Sequence, residues 1–122
     1  MLILIPSSLH AYSGRYNFNI AWMVTGPHDH ELANKITKTT VTAETYNIDD
    51  TVSRTKETYQ VTLRRDNFFK TSYHTSDITA NGGRVTRSFG TVKKGNYAVR
   101  VTIKSGDATS HTRIKGSGTI NQ

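Results

Sequence analysis

Apolar and polar residues alternate most regularly around Thr91–Lys104. There Tyr97, Val99, Val101 and Ile103 fall on one parity, and Ala98, Arg100, Thr102 and Lys104 on the other. A period of two belongs to a strand buried on one face, and the basic Lys93-Lys94-Gly95-Asn96 stretch ahead of it reads as a turn. Arg15–Thr25 carries the same pattern, with Tyr16, Phe18, Ile20, Trp22 and Val24 on one side, so Trp22 is expected in the core. Glu57–Arg65 repeats it with Tyr59, Val61 and Leu63 inward, and Ser110–Ile120 with Thr112, Ile114, Gly116, Gly118 and Ile120. Weaker alternation marks Lys35–Tyr46, a Thr-rich stretch expected as an edge strand or a pair of short ones. It also marks Thr71–Ile78 and Arg84–Phe89, where Arg87 shares the parity of Val85 and Phe89 and must lie at a rim. Gly26-Pro27, Asn47-Ile48-Asp49-Asp50, Asp66-Asn67 and Ser105-Gly106-Asp107 punctuate these runs, and Asn81-Gly82 has the residues of a tight hairpin.

About seven short strands separated by turn signals predict an all-β fold, a two-sheet antiparallel sandwich. Val92-Lys93-Lys94-Gly95-Asn96-Tyr97-Ala98-Val99-Arg100-Val101 resembles the turn, tyrosine and alternating valines before the penultimate strand of immunoglobulin-like β-sandwich domains. Together with Tyr59–Leu63 and Lys115-Gly116-Ser117-Gly118-Thr119-Ile120, it makes residues 57–122 similar to small secreted β-sandwich proteins of Gram-positive bacteria. The resemblance implies that Tyr97 ties a loop to the strand beneath it. It brings no catalytic signature.

Composition agrees with strands, since only 34% of the 122 residues are hydrophobic and threonine is abundant. Cysteine is absent, which excludes a disulfide framework and any Cys-based nucleophile or metal site. Residues 1–13 fit two descriptions. One is the end of a secretory leader, with Ala11 and Ser13 as small residues before Gly14; the other is a first strand over Leu2–Ile5. Residues 14–122 are expected to form one domain. No other apolar run approaches the ~20 residues of a membrane-spanning helix.

Charge is distributed unevenly. Residues 1–61 carry five Lys/Arg against six acids, while residues 62–122 carry eleven against three, a split of −1 and +8 within a net +7. If Tyr59–Arg65, Asn96–Lys104 and Ser110–Ile120 lie in one sheet, as the third, sixth and seventh strands of an immunoglobulin-like sandwich do, Arg64, Arg100, Lys104, Arg113 and Lys115 share an outward face. That face would suit an anionic polymer, a lipid surface or an acidic protein. Arg65, Phe68, Phe69 and Lys70 form a second candidate, a basic and aromatic tip suited to a membrane or a partner pocket. Nucleic acid is less well matched, because the aromatics fall on core parity instead of forming outward stacking platforms.

His28 and His30 are a weak metal candidate, since two imidazoles without a third ligand make no site. No G-x-S-x-G elbow, P-loop, dinucleotide fingerprint or H-E-x-x-H helix occurs. Gly116-Ser117-Gly118 lies in an alternating run, not at a strand-to-helix turn. The expectation is therefore a monomeric, exported or surface-associated binding protein without enzymatic activity or cofactor. A membrane-active, toxin-like protein and a small hydrolase are the alternatives.

Overall fold

The computed structural model describes residues 11–65, 71–105 and 111–122. Residues 1–10, 66–70 and 106–110 lie outside the described residues, so the leader-or-strand reading of the N-terminus and the Phe68, Phe69 and Lys70 side chains lie there too. The described residues hold ten strands and no helix: β1 (Ser13–Ile20), β2 (Met23–Thr25), β3 (His30–Leu32), β4 (Lys35–Asn47), β5 (Thr58–Arg65), β6 (Ser72–His74), β7 (Ile78–Thr79), β8 (Asn81–Val92), β9 (Gly95–Ile103) and β10 (Thr112–Asn121). They form a β-sandwich. The first sheet runs β1-β10-β4-β8 and the second β2-β9-β5-β6, with β3 also pairing β9 and β7 also pairing β5. All pairings are antiparallel.

Ten strands replace the expected seven because the chain changes sheets where the sequence pattern runs on unbroken. The Arg15–Thr25 run breaks at Ala21-Trp22, leaving β1 in the first sheet and β2 in the second. At that corner the Trp22 carbonyl accepts a hydrogen bond from the Ile103 N–H, 2.8 Å. The indole points outward: Trp22 is 69% exposed, not a core residue, because the turn resets the parity counted from Ile20.

Asn81-Gly82 is likewise not a hairpin. Strand β7 pairs with β5 and β8 with β4, so the chain crosses between sheets at Ala80. Gly82 does adopt the positive φ (82°) expected of it, but at an irregularity of β8 opposite Thr42–Glu44. A second positive-φ glycine, Gly90 (76°), lies at another shift in the same pairing. This bulge lets both Phe89 and Val92 turn inward at a spacing of three. Arg87, on the inward parity, lies half-buried.

Lys35–Asn47 is neither an edge nor a pair of strands. It is one thirteen-residue strand held between β10 and β8. Threonines disguise its core face, since Thr37, Thr39 and Thr45 are fully buried there beside Val41 and Ala43. Each hydroxyl is satisfied: Thr37 donates to the Lys35 carbonyl (3.0 Å), Thr45 donates to the Ala80 carbonyl (2.8 Å), and Thr39 pairs with the Tyr16 hydroxyl (2.6 Å). Burial with a partner removes most of the desolvation cost of a hydroxyl.

The core lies between the sheets, with Phe18, Ile20, Val41, Phe89, Val92, Ile114 and Ile120 facing Leu32, Tyr59, Val61, Leu63, Tyr97, Val99 and Val101. On β10 the inward positions Gly116 and Gly118 have no side chain of their own. Phe18 and Tyr16, their directly paired residues on β1, lie over them with stacked rings 6.2 Å apart. Tyr97 is fully buried, and its hydroxyl donates to the Lys93 carbonyl at 2.6 Å, fastening the β8–β9 connection to β9. A Cβ at Gly116 would lie 2.5 Å from the Thr42 carbonyl oxygen and 2.6 Å from Phe18 Cζ. Gly116→Ala should therefore destabilise the protein by about 1–3 kcal/mol, read as a lower urea midpoint with unchanged slope.

Candidate functional site

The five cations expected on one face lie in two separate places. Strand β10 belongs to the first sheet, so Arg113 and Lys115 lie on the opposite side of the sandwich from Arg64 and Arg100, and the shared platform does not exist. Sequence alternation assigns a side chain to a face of its own strand, but it does not say which strands are neighbours.

On the outside of the second sheet, Arg100 lies in a cross-strand row with Thr25, Thr62 and His74. Its Nε donates to Thr25 Oγ1 (2.8 Å), and Thr62 Oγ1 pairs with His74 Nδ1 (2.9 Å). Burial, then the nearby Arg64 charge, lower the Arg100 pKa from its ordinary value. Lys104 is exposed just past the end of β9. Arg65 lies over Gly95, where an added Cβ would meet its Nε at 2.5 Å.

On the first sheet, Arg113 donates to the Asn19 side-chain and backbone oxygens (2.8 and 3.1 Å). Lys115 pairs with Asp50 at 2.9 Å and lies 4.9 Å from the Tyr46 ring centre. These two cations are occupied by neighbours on their own surface.

A better-formed site lies higher on that sheet. Alternation turns Arg15 and Asn17 of β1, Ser117 and Thr119 of β10, Thr40 and Thr42 of β4, and Arg84 and Thr86 of β8 outward. The register then sets them in two rows across the four strands, Asn17–Ser117–Thr42–Arg84 and Arg15–Thr119–Thr40–Thr86. Three strand spacings separate the ends of a row, about 14 Å. Because the middle positions are short hydroxyl residues and each edge strand carries one long arginine, Arg15 at one end of its row and Arg84 at the opposite end of the other, the face is a trough. Its volume is about 380 Å³, lined by Arg15, Tyr16, Asn17, Thr40, Thr42, Arg84, Ser117, Gly118 and Thr119. Among the described residues no acid lines it. Lys38 follows in the next row, between Asn121 and Ser88. Sequence reasoning passed over Arg15 and Arg84. Their outward parity was readable, but their convergence depends on β1 and β8 being the two edges of one sheet.

The second cavity, about 220 Å³, opens where β1 leaves the first sheet and β2 and β3 edge the second. Arg15, Tyr16 and Asn17 also line it, with Val24, Gly26, Pro27, Asp29, His30, Val99 and Val101. His30 belongs to β3, not to a loop, and is buried. Its Nδ1 is 2.7 Å from the Tyr12 hydroxyl, and its Nε2 is 3.4 Å from Asp29 Oδ1. His28 is exposed, and among the described residues no three His, Cys, Asp or Glu side chains group as metal ligands.

A neutral His30 with its proton on Nε2 faces Asp29 and accepts from Tyr12 through Nδ1. Burial pushes the His30 pKa down, and the Asp29 charge opposes this only in part. The unfolded chain therefore takes up the proton first. Stability from this group is complete above ~6.5, and is lost as pH falls from there through the lowered native value. Urea midpoints should decline as the pH falls below about 6.5, and His30→Gln should flatten that slope.

No known protein family and no curated protein matches this chain, so its own surfaces carry the functional reading.

Proposed function

We propose that this protein is a non-enzymatic binding domain that holds an anionic polymer in the trough on the first sheet, at a cell surface or outside the cell. The observation that carries this is the trough itself, a hydroxyl-floored channel with an arginine at each edge and no acid among the described residues that line it. Arg15 and Arg84 form no ion pair among the described residues, so both guanidinium groups are open to an anion. The floor supplies Ser, Thr and Asn donors and acceptors suited to the hydroxyls and acid groups of a charged polysaccharide. Among the described residues Tyr16 is the one aromatic that lines it, and its hydroxyl is engaged by Thr39, so these residues offer no stacking platform for bases. Each cation near an anionic surface contributes about 1 kcal/mol, which makes the binding modest and sensitive to salt.

A second reading is favoured by the opposite kind of surface. Trp22 is 69% exposed, Ile48 77% and Val52 54%. All three lie at one end of the sandwich, because Ile20 pairs with Ile114 while Thr112 pairs with Asn47. Lys104 and Arg113 are at the same end. In this reading the end rests on an anionic lipid surface, with Trp22 in the role that sequence reasoning gave to Phe68 and Phe69.

The two readings separate experimentally. Arg15→Glu with Arg84→Glu should weaken low-salt binding to dextran sulfate by at least about thirtyfold, whereas Arg64→Glu with Arg100→Glu should leave it within about twofold. Equal losses in both pairs would show that net charge, not the trough, does the binding. For the lipid reading, Trp22 is the sole tryptophan in the sequence. Its emission should shift to the blue on addition of phosphatidylglycerol vesicles, and an unmoved spectrum at saturating lipid excludes insertion of this end.

A further inference from the structure

We propose that the 220 Å³ cleft between β1 and the β2–β3 edge is a second binding site, for a small zwitterion: a free α-amino acid with a short apolar side chain. The cleft enters the sandwich where the sheets part, so its floor is part of the core face of the second sheet, Val24, Val99 and Val101. Gly26-Pro27 forms a wall, and the Gly26 N–H is already bonded to the Val99 carbonyl at 2.9 Å. Arg15, Asn17 and Asp29 supply the polar lining.

Three features together select the ligand class. First, charges of both signs, Arg15 and Asp29, line one small cavity, and they form no ion pair with each other. An arginine suits a carboxylate and an aspartate an ammonium group. Second, the valine floor matches a branched aliphatic group and offers it no hydrogen-bonding partner. Third, the volume, about 220 Å³, is well below that of the trough and suits a small molecule.

Asp29 also separates this site from the trough, since a carboxylate repels the polyanion that the trough is suited to. Its position is supported from behind. His30 is held between Asp29 and Tyr12, and this close approach needs the bare Cα of Gly14, whose added Cβ would overlap the Tyr12 hydroxyl and lie 2.6 Å from His30 Nδ1.

The test is an amide NMR titration of the full chain with L-leucine. Saturable shifts are expected at Val24, Gly26, Asp29, Val99 and Val101, with Thr42 and Arg84 unmoved. Isovalerate and isobutylamine, each with one of the two charges, should bind at least about tenfold more weakly. Asp29→Asn should cost leucine binding at least about tenfold, and Val24→Phe, which fills the cleft from an edge strand, should abolish it. Both variants should keep their affinity for dextran sulfate, so loss of one activity is distinguishable from loss of the other. The absence of saturable shifts up to tens of millimolar leucine overturns the proposal. So does isovalerate binding as tightly as leucine, or a Val24→Phe protein that folds and still binds.

Discussion

Everything in the first sheet depends on strand β10 giving up its own side chains. At Gly116 and Gly118 the core face of this central strand is bare, and the space is taken by the Phe18 and Tyr16 rings reaching across from the edge strand β1. Pairing an aromatic with a glycine on the neighbouring strand restores the packing that the glycine omits. It also decides what lies further in. The Tyr16 hydroxyl reaches Thr39 on β4, the strand on the far side of β10, so a single ring spans three strands and satisfies a buried threonine. Burial of Tyr16 raises its phenol pKa well above the ordinary value, and the hydroxyl remains a neutral hydrogen-bonding group across the working range of pH. A larger residue at Gly118 would displace the Tyr16 ring, and with it that partner, as one at Gly116 would displace Phe18.

The fold class was legible because alternation is a local property. Tyr59–Leu63, Tyr97–Ile103 and Ile114–Ile120 each read as half-buried strands, and each is one. Errors arose where a local pattern met a non-local choice. Trp22 continued the parity of Ile20, but the chain turned a corner between them. Thr37, Thr39 and Thr45 looked like exposed edge residues, because no sequence pattern records that a hydroxyl finds a partner thirty-five residues away at Ala80 or twenty-three away at Tyr16. The same limit separated Arg100 from Arg113. Among the described residues, only β5 and β6 pair of the strands consecutive in sequence, so neighbours in the chain are seldom neighbours in a sheet.

This weaving explains why the charge split between the two halves of the chain does not appear as one positive hemisphere. The second half contributes strands to both sheets, and its cations go with them. The trough draws Arg15 from the near-neutral half and Arg84 from the basic half, and the hydroxyl residues between them keep the two edge strands that carry these like charges about 14 Å apart. At that distance they repel weakly, yet both can engage one extended anion. The cleft shares Arg15 with the trough and adds Asp29, so one residue borders two cavities of different chemistry.

Strand β10 lies between β1 and β4, but it follows both by more than sixty residues. Until it arrives, β1 has no partner in the first sheet, and β4 can pair only with β8. The first sheet therefore cannot complete itself progressively as the chain lengthens. A polypeptide leaving a ribosome, or threading any narrow pore, would hold β1 unpaired until β10 had emerged, and would then join β1 to the β4–β8 pair across it in one late step.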